Sequence, residues 1–311
     1  MVILSLKGIS KEYGHSLVLN NIDLDIEEGD IIGIIGVSGS GKSTLLNIIT
    51  GFLKSDDGVM KFNIPHKKKE FHITHNNFVK QILGYNPQGL SFYPKLSVWE
   101  NLMHFGRMYN LKKRVLKDNA NNLLKFTGLY KYRKYLAEEL SGGMQKRLDI
   151  ACSLVHKPKI LVLDEPVLNL DSVLKRDILH LLEEVNKQGV TIILASHDLE
   201  TVDLICNRVA ILHNNKMFSQ GPIDEIKKPY NKGGTIRLFT GSHHKEILEH
   251  MKQIPKVSVV DYHNHLVIQA DKLSKVANEI TNYVESGKFG LTHLDLSAPA
   301  LRTVFEDITH K

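Results

Sequence analysis

Short apolar runs alternate with long amphipathic helical patterns along the first 229 residues of this chain. From Ile22 to Ile26, apolar residues alternate with aspartates, which predicts a strand with one buried face and one solvent-facing side. The runs Ile31–Ile35, Ile160–Leu163 and Thr191–Ala195 contain almost no polar residue. Such runs are typical of parallel strands that helices cover on both faces. The pattern therefore predicts an α/β fold.

The pattern changes at a linker that contains proline and glycine, Lys228–Gly234, and restarts on a smaller scale after it. Strand-like segments follow at 235–240, 257–262, 266–270 and 291–296. One amphipathic helix is expected after Asp271 as its cap, and a final one from Pro299. We therefore predict two domains, residues 1–229 and residues 230–311, the second being a small α/β domain with its own core.

Composition changes this picture little. Apolar residues make up 42% of the chain and charged residues 24%, a balance that excludes a disordered or low-complexity chain. No apolar run approaches the ~20 residues that span a bilayer, and Met1–Lys7 lacks the features of a signal peptide. Cys152 and Cys206 lie far apart in the sequence and suggest neither a disulfide framework nor a metal site. These features favour a cytoplasmic protein.

The formal net charge is +6, from 40 basic and 34 acidic side chains. This excess is mild, whereas a nucleic-acid-binding protein usually has a clustered basic stripe with interleaved aromatic residues. The run His66–Lys69 is typical of a solvated loop tip, and contact with anionic lipid head groups is the alternative. We expect no nucleic-acid partner.

A glycine-rich loop with the pattern G-x-x-x-x-G-K-[ST] follows the strand Ile31–Ile35 and opens a helix that ends near Gly51. Glycines let successive backbone N–H groups surround a phosphate, and the helix N-terminus adds partial positive charge. The lysine reaches the β- and γ-phosphates, and the hydroxyl that follows it can bind Mg²⁺. The candidate ATP-binding residues are Gly36, Val37, Ser38, Gly39, Ser40, Gly41, Lys42, Ser43 and Thr44. The sequence therefore predicts a nucleoside triphosphate site.

Two adjacent carboxylates, Asp164 and Glu165, end the apolar run that begins at Ile160. Asp164 is expected to hold Mg²⁺, and Glu165 to activate the attacking water as a general base. Strand alternation should direct the two side chains differently, so that neither replaces the other.

Between these two motifs lies Leu140-Ser141-Gly142-Gly143, at the predicted start of a helix. Ser141 is expected to cap that helix, and the two glycines suggest a second phosphate cradle. With the P-loop before it and Leu-Val-Leu-Asp-Glu-Pro after it, this motif resembles the signature of the ATP-binding cassette (ABC) ATPases. The resemblance implies a P-loop fold with a mixed sheet core, an antiparallel β subdomain and a helical subdomain that carries the signature. It also implies that Ser141, Gly142 and Gly143 act in trans, on ATP bound to a second cassette.

Further positions match the family one at a time. The resemblance implies that Tyr13 stacks on adenine, that Gln88 contacts Mg²⁺ and the attacking water, and that His197 contacts the γ-phosphate. It places Asn169–Asp171 on the loop that crosses the dimer interface. The implied catalytic residues are thus Glu165, His197 and Gln88, the implied Mg²⁺ ligands Ser43, Gln88 and Asp164, and the implied cofactors ATP and Mg²⁺. Val167 and Asn169 depart from the family pattern, which puts the interface loop, and not hydrolysis, in question.

The segment Tyr93–Leu111, Met144 and the block Ala298–Ile308 are similar to type 2 ABC exporter ATPases with a C-terminal accessory domain. This resemblance implies an ATP-hydrolysing subunit on the inner face of the cell membrane, with a separate integral-membrane permease as partner. It implies a homodimer, or a heterodimer with a second cassette subunit. An importer ATPase is one alternative. Another is a soluble cassette ATPase that acts on nucleic acid or ribosomes, although the 105 positions from Gly36 to Ser141 leave no room for a long coiled-coil insertion.

The surface that meets the permease is predicted from position. The segment from Gln88 to about Leu111 follows the glutamine expected to sense the nucleotide, and it contains the apolar residues Phe92, Tyr93, Leu96 and Trp99. Exposed aromatic residues beside a moving loop would form a hot spot for a short helix of the permease.

Overall fold

A computed structural model of the chain describes residues 1–63, 77–228, 234–239, 244–255, 257–261, 265–270, 273–287, 293–297 and 301–309. It divides into two compact units, Met1–Gly221 and Pro222–Lys311. The predicted border between residues 229 and 230 and the basic run at 66–69 fall outside the described residues. Among the residues that are described, no helix is both long enough and apolar enough to cross a bilayer.

A six-stranded sheet forms the centre of the first unit, in the order β5 (Leu83–Asn86), β6 (Ile160–Asp164), β7 (Thr191–Ser196), β3 (Ile31–Ile35), β8 (Arg208–His213) and β9 (Lys216–Pro222). The pairs from β5 to β8 are all parallel. Every residue of β3, β6 and β7 is buried, as predicted from their apolar sequences. Asn214 and Asn215 connect β8 to β9 with φ of 48° and 64°, the backbone of a tight hairpin, so β9 makes the sheet mixed.

Four of the described helices belong to the central part of the first unit. The helix α1 (Lys42–Ile49) buries Leu45, Leu46, Ile48 and Ile49, and it is followed by its cap Thr50 and by Gly51, whose φ of 76° is common just after a helix. The others are α2 (Asn77–Ile82), α6 (Ser172–Lys187) and α7 (Leu199–Ile205). Asp171 starts α6 by accepting hydrogen bonds from the N–H groups of Val173 and Leu174.

The antiparallel β subdomain is a three-stranded sheet in the order β2 (Ser16–Glu27), β1 (Val2–Tyr13) and β4 (Asp57–Phe62). Ile22, Leu24 and Ile26 of β2 are fully buried, which confirms the predicted alternation. They join the main core together with the inner residues of β3 and α1.

A helical layer follows β5 and comprises α3 (Val98–Met108), α4 (Lys113–Phe126) and α5 (Gly142–Leu154), with short 3₁₀ turns at Tyr130–Tyr132 and Ala137–Glu139. It has a core of its own, to which all three helices contribute. The predicted exposed patch is only partly correct. Phe92 is buried and Trp99 packs against this core, whereas Tyr93 is 48% exposed.

The second unit comprises α8 (Ile223–Lys227), β10 (Gly234–Phe239), α9 (His244–Gln253), β11 (Val257–Asp261), β12 (Leu266–Ala270), α10 (Leu273–Gly287), β13 (His293–Ser297) and α11 (Leu301–Thr309). Its antiparallel sheet has the order β11-β12-β10-β13, a βαββαβ arrangement of the split type. The predicted small α/β domain is confirmed. The helix α9 was missed because its apolar positions are few: it buries Ile247 and Met251, and Leu248 is partly buried, among polar residues. The predicted helix starts at Asp271 and Pro299 lie outside the described residues.

Candidate functional site

Four parallel strands end at one edge of the central sheet. Ile35 of β3 lies opposite Ser196 of β7, and Asp164 of β6 lies opposite Ala195. Asn86 of β5 lies opposite Leu163. The loops after these strands therefore share one edge, where open α/β sheets bind their ligands. This edge carries the loop from Gly36, the carboxylates Asp164 and Glu165, His197 and Gln88.

The loop at residues 36–41 has the backbone of a phosphate cradle. Gly39 and Gly41 have φ of 81° and 97°, a region that side chains disfavour. A Cβ on Gly36 would lie 2.4 Å from the Ser40 hydroxyl and 2.6 Å from the Leu212 carbonyl, so only glycine fits there. Successive N–H groups in such a loop form a concave anion site at the N-terminus of α1.

Lys42 lies inside this cradle. Its ammonium group donates hydrogen bonds to the carbonyls of Gly36 at 2.9 Å and Val37 at 3.1 Å. Burial lowers the pKa of Lys42, while the carboxylates of Glu165 and Asp164 act in the opposite direction. The loop thus holds a buried cation beside the place that a triphosphate would take.

Ser43 and Asp164 come together as a pair of oxygen donors. Burial raises the pKa of Asp164, and the neighbouring Ser43 hydroxyl acts in the opposite direction. Asp164 is only 5% exposed. A hydroxyl and a carboxylate next to a phosphate cradle fit Mg²⁺, which prefers oxygen ligands and shares them with phosphate. These are the residues that would hold it.

Glu165 is directed away from Asp164, towards His197. The predicted cause, strand alternation, is wrong, because β6 ends at Asp164 and Glu165 has a left-handed φ of 50°. Its carboxylate accepts a hydrogen bond from the backbone N–H of His197 at 3.0 Å and lies 2.7 Å from the His197 ring Nδ1. Ser196 donates to its second oxygen at 3.2 Å. A left-handed backbone at a non-glycine residue is often kept for function.

The remaining predicted residues, except Gly143, are exposed. Gln88 is exposed in the loop after β5, and Tyr13 is 50% exposed at the end of β1. Ser141 and Gly142 are exposed at the start of α5, while Gly143 is buried. Ser141 occupies the position before the helix, as predicted, but its side chain makes no capping hydrogen bond there. The roles proposed for these residues stay predictions.

Comparison with known proteins identifies the family. The ABC transporter family model matches residues 19–168. The methionine import ATP-binding protein MetN of Clostridium tetani is 32% identical over 253 residues, which are 76% of this chain and 79% of that protein.

The chain belongs to the ABC transporter family.

Similarity to other ABC proteins extends further along the chain. The linearmycin resistance ATP-binding protein LnrL of Bacillus subtilis is 29% identical over 310 residues, 99% of this chain and 98% of that protein. A crystal structure of the ADP conformation of an ATP-binding cassette of an ABC transporter superposes with a TM-score of 0.65 at 29% identity, covering 72% of this chain and 92% of the other. The predicted ABC-type fold is therefore confirmed.

Two departures from the family pattern are compatible with this fold. Val167 is buried at 5% exposure, where an apolar side chain is suited. Asn169 has a left-handed φ of 61°, a conformation that asparagine adopts more readily than most residues. Asparagine therefore suits this position in the loop that leads to Asp171 and α6.

A buried polar network that the sequence reasoning missed joins α5 of this ABC cassette to the loop around Gln88. Lys146 donates to the side-chain oxygen of Asn86 at 2.9 Å and lies 3.7 Å from the Asp149 carboxylate. Asn86 donates to Asp149 at 2.6 Å, and Ser91 donates to it through its N–H at 2.9 Å and its hydroxyl at 2.5 Å. The sequence signal for this network is a pair of opposite charges three residues apart on one helix, Lys146 and Asp149, with apolar neighbours. The network therefore holds α5 against the residues on both sides of Gln88, Asn86 and Ser91.

Proposed function

We propose that the chain is the ATP-hydrolysing subunit of an ABC exporter, which works on the inner face of the cell membrane with a separate integral-membrane permease. The observation that carries hydrolysis is the pair Glu165 and His197, 2.7 Å apart at the sheet edge that holds Lys42 and Asp164. The support for export is that similarity to LnrL, named for linearmycin resistance, spans 99% of the chain. MetN, an import protein, matches 76% of the chain, so import is the second candidate.

The chemistry follows from the positions of these groups. Lys42 and the loop N–H groups bind the phosphates of ATP, and Mg²⁺ held by Ser43 and Asp164, with Gln88 nearby, would neutralise phosphate charge. The Glu165 carboxylate takes a proton from the attacking water while the oxygen of that water forms a bond to the γ-phosphorus. The bond from that phosphorus to the β–γ bridging oxygen breaks, and ADP leaves. His197 orients Glu165 and faces the γ-phosphate.

The complete site requires a second cassette. Ser141 and Gly142 are exposed at the N-terminus of α5, where the first helical N–H groups have no partner within the helix. Such a terminus favours an anion. The P-loop of this chain lies at a different helix terminus, at the start of α1. Two copies of this chain, facing each other, would each supply Ser141–Gly143 to the ATP that the other binds.

The permease is proposed to dock in a groove of the first unit. This groove, of about 760 Å³, lies between the central core and the helical layer, and its walls include Pro87 and Ser91 on either side of Gln88. Phe52 and Met108 line it and are 75% and 66% exposed. A short amphipathic helix from a permease would bury these apolar groups, and movement of Gln88 with nucleotide would be transmitted to it.

Co-purification with the membrane subunit tests this proposal. Met108→Glu places a charge in the groove, so we expect it to abolish recovery of the cassette with its permease while the isolated chain still hydrolyses ATP. Phe218→Glu is the matched control, because Phe218 is 53% exposed on β9, at the sheet edge opposite β5. Recovery of the Met108 variant at the level of this control would contradict the docking site.

A further inference from the structure

One short region of the helical layer carries the entire positive excess of the chain. Residues 112–135 contain eight lysines and arginines and one acid, Asp118, which gives a formal charge of +7. The whole chain has a formal charge of +6, so all other residues together sum to −1. The sequence reasoning weighed only the run at 66–69 and missed this region, because its charges are spaced along a helix and a turn.

Part of this charge forms a stripe on α4. Lys113, Lys117, Asn121 and Lys125 recur every four residues, so they follow one another along one side of the helix. Asn121 lines the same shallow hollow as Arg133 and Lys134. The stripe is therefore continuous with the segment that follows the helix.

That segment, Tyr130–Tyr135, alternates aromatic and basic residues. Tyr130, Tyr132 and Tyr135 are 36%, 38% and 52% exposed. The Tyr130 ring has the Arg133 guanidinium 4.5 Å from its centre, and Lys125 at 5.7 Å. Tyr132 and Tyr135 contact each other edge to face. We call this segment together with the α4 stripe the basic–tyrosine surface.

Three nearby acids, Glu100, Glu138 and Glu139, offset only part of the formal charge of +7 on residues 112–135. Glu138 forms an ion pair with Lys95 at 2.8 Å. Glu139 accepts a hydrogen bond from the N–H of Leu136, and Glu100 accepts from Ser97 at the start of α3. Among the described residues, no ion pair of Lys131 or Lys134 with a carboxylate is within 4.0 Å.

We propose that the basic–tyrosine surface binds the anionic phospholipid head groups of the membrane. Exposed lysines are attracted to an anionic bilayer, which lowers their free energy. Tyrosine rings, with one apolar and one polar end, suit its interface. The surface follows one side of a helix and the turn after it, and its hollow is shallow, unlike the charged channel that follows a nucleic-acid strand. The proposal rests on the proposed function only in assigning the chain to the membrane. Backbone hydrogen bonds from Val98 and Trp99 attach Tyr130–Tyr135 to the first turn of α3, whose last turn lines the docking groove.

Vesicle co-sedimentation of the purified chain, without a permease, tests this inference. We expect binding to phosphatidylcholine vesicles that contain phosphatidylglycerol and none to pure phosphatidylcholine. Lys131→Glu/Lys134→Glu should weaken binding about tenfold or more. Lys54→Glu/Lys216→Glu changes the net charge equally at exposed sites elsewhere in the first unit and should bind like the wild type. Tyr132→Ser/Tyr135→Ser should weaken the binding that persists at high salt, where charge contacts are screened.

Three results would overturn the inference. The first is equal loss in both charge-reversal variants, which would mean that net charge alone attracts the chain. The second is undiminished vesicle binding by Lys131→Glu/Lys134→Glu. The third is a labelled oligonucleotide bound through these lysines while vesicles are not bound. ATP hydrolysis should be unchanged in every variant, which also reports correct folding. A failure of the proposed function would appear instead as lost hydrolysis or lost permease recovery, with vesicle binding intact.

Discussion

Glu165→Gln should lower the rate of ATP hydrolysis by about 10²–10⁴, the usual contribution of a positioned general base. Glutamine has the shape of glutamate: its carbonyl oxygen can still accept a hydrogen bond from the His197 N–H, and its amide group can donate one to the Ser196 hydroxyl. It cannot take a proton from water. Binding of ATP should therefore survive, and an ATP-bound dimer should accumulate, which size-exclusion chromatography would detect.

Glu200→Gln is the control for this experiment, because Glu200 is an exposed glutamate at the start of α7. It should hydrolyse ATP at the wild-type rate. If Glu165→Gln retained near-normal hydrolysis, Glu165 would not be the base, and its contact with His197 would be only structural.

The second large effect is expected from the network beneath Gln88. Lys146 and Asp149 are 7% and 0% exposed, so removing one of them leaves the other buried without its charge partner. Lys146→Met and Asp149→Asn should each lower the free energy of unfolding by about 3–5 kcal/mol. The double variant should recover most of this loss, because both buried charges are then absent. Urea denaturation of all four proteins measures the difference.

The loss of stability in Asp149→Asn should change with pH in one direction. Burial already lowers the pKa of Lys146, and the Asp149 carboxylate opposes that change. In Asp149→Asn the opposition is lost, so the pKa of Lys146 in the folded chain falls further below that in the unfolded chain. Stability then rises with pH between these two values, since the unfolded chain binds more protons there. The deficit of Asp149→Asn should therefore be largest at neutral pH and shrink towards the ordinary lysine pKa. Equal deficits at all pH values would show that packing, and not charge, is responsible.

Local patterns predicted most of the fold. The fully apolar strands β3, β6 and β7 and the glycine-rich loop before α1 can be found from sequence because their composition and order leave few alternatives. The helix α9 could not be, since only Ile247, Met251 and the partly buried Leu248 reach the core of the second unit. The burial of Phe92 could not be predicted either, because one aromatic residue after a loop is compatible with a core and with an interface.

Within the site, residue types were predictable and their arrangement was not. Asp164 and Glu165 were expected to diverge, but the cause is a left-handed backbone at Glu165, which no neighbouring glycine signals. The contact between Asn86 and Asp149 joins positions 63 residues apart and depends on how α5 packs against β5. Long-range polar contacts of this kind require the fold before they can be assigned.

Mixing two inactive variants tests the central claim, that each ATP is hydrolysed between two chains. Gly142→Asp should fold normally, because no atom lies within 4 Å of a Cβ at that position. The new carboxylate repels the phosphate of the ATP that a facing chain binds, while the P-loop of the variant itself stays intact. Lys42→Met keeps the buried volume of the lysine stem but removes the cation that binds phosphate, and leaves Ser141–Gly143 intact.

Each variant alone should be inactive, and the decisive measurement is the ATPase rate of their equimolar mixture. In a mixed dimer the P-loop of the Gly142→Asp chain faces the intact signature of the other chain, which restores one site. Since half of randomly formed dimers are mixed and each has one working site of two, the mixture should reach about a quarter of the wild-type rate. A mixture as inactive as its components, beside a wild-type chain that is active alone, would contradict the shared site.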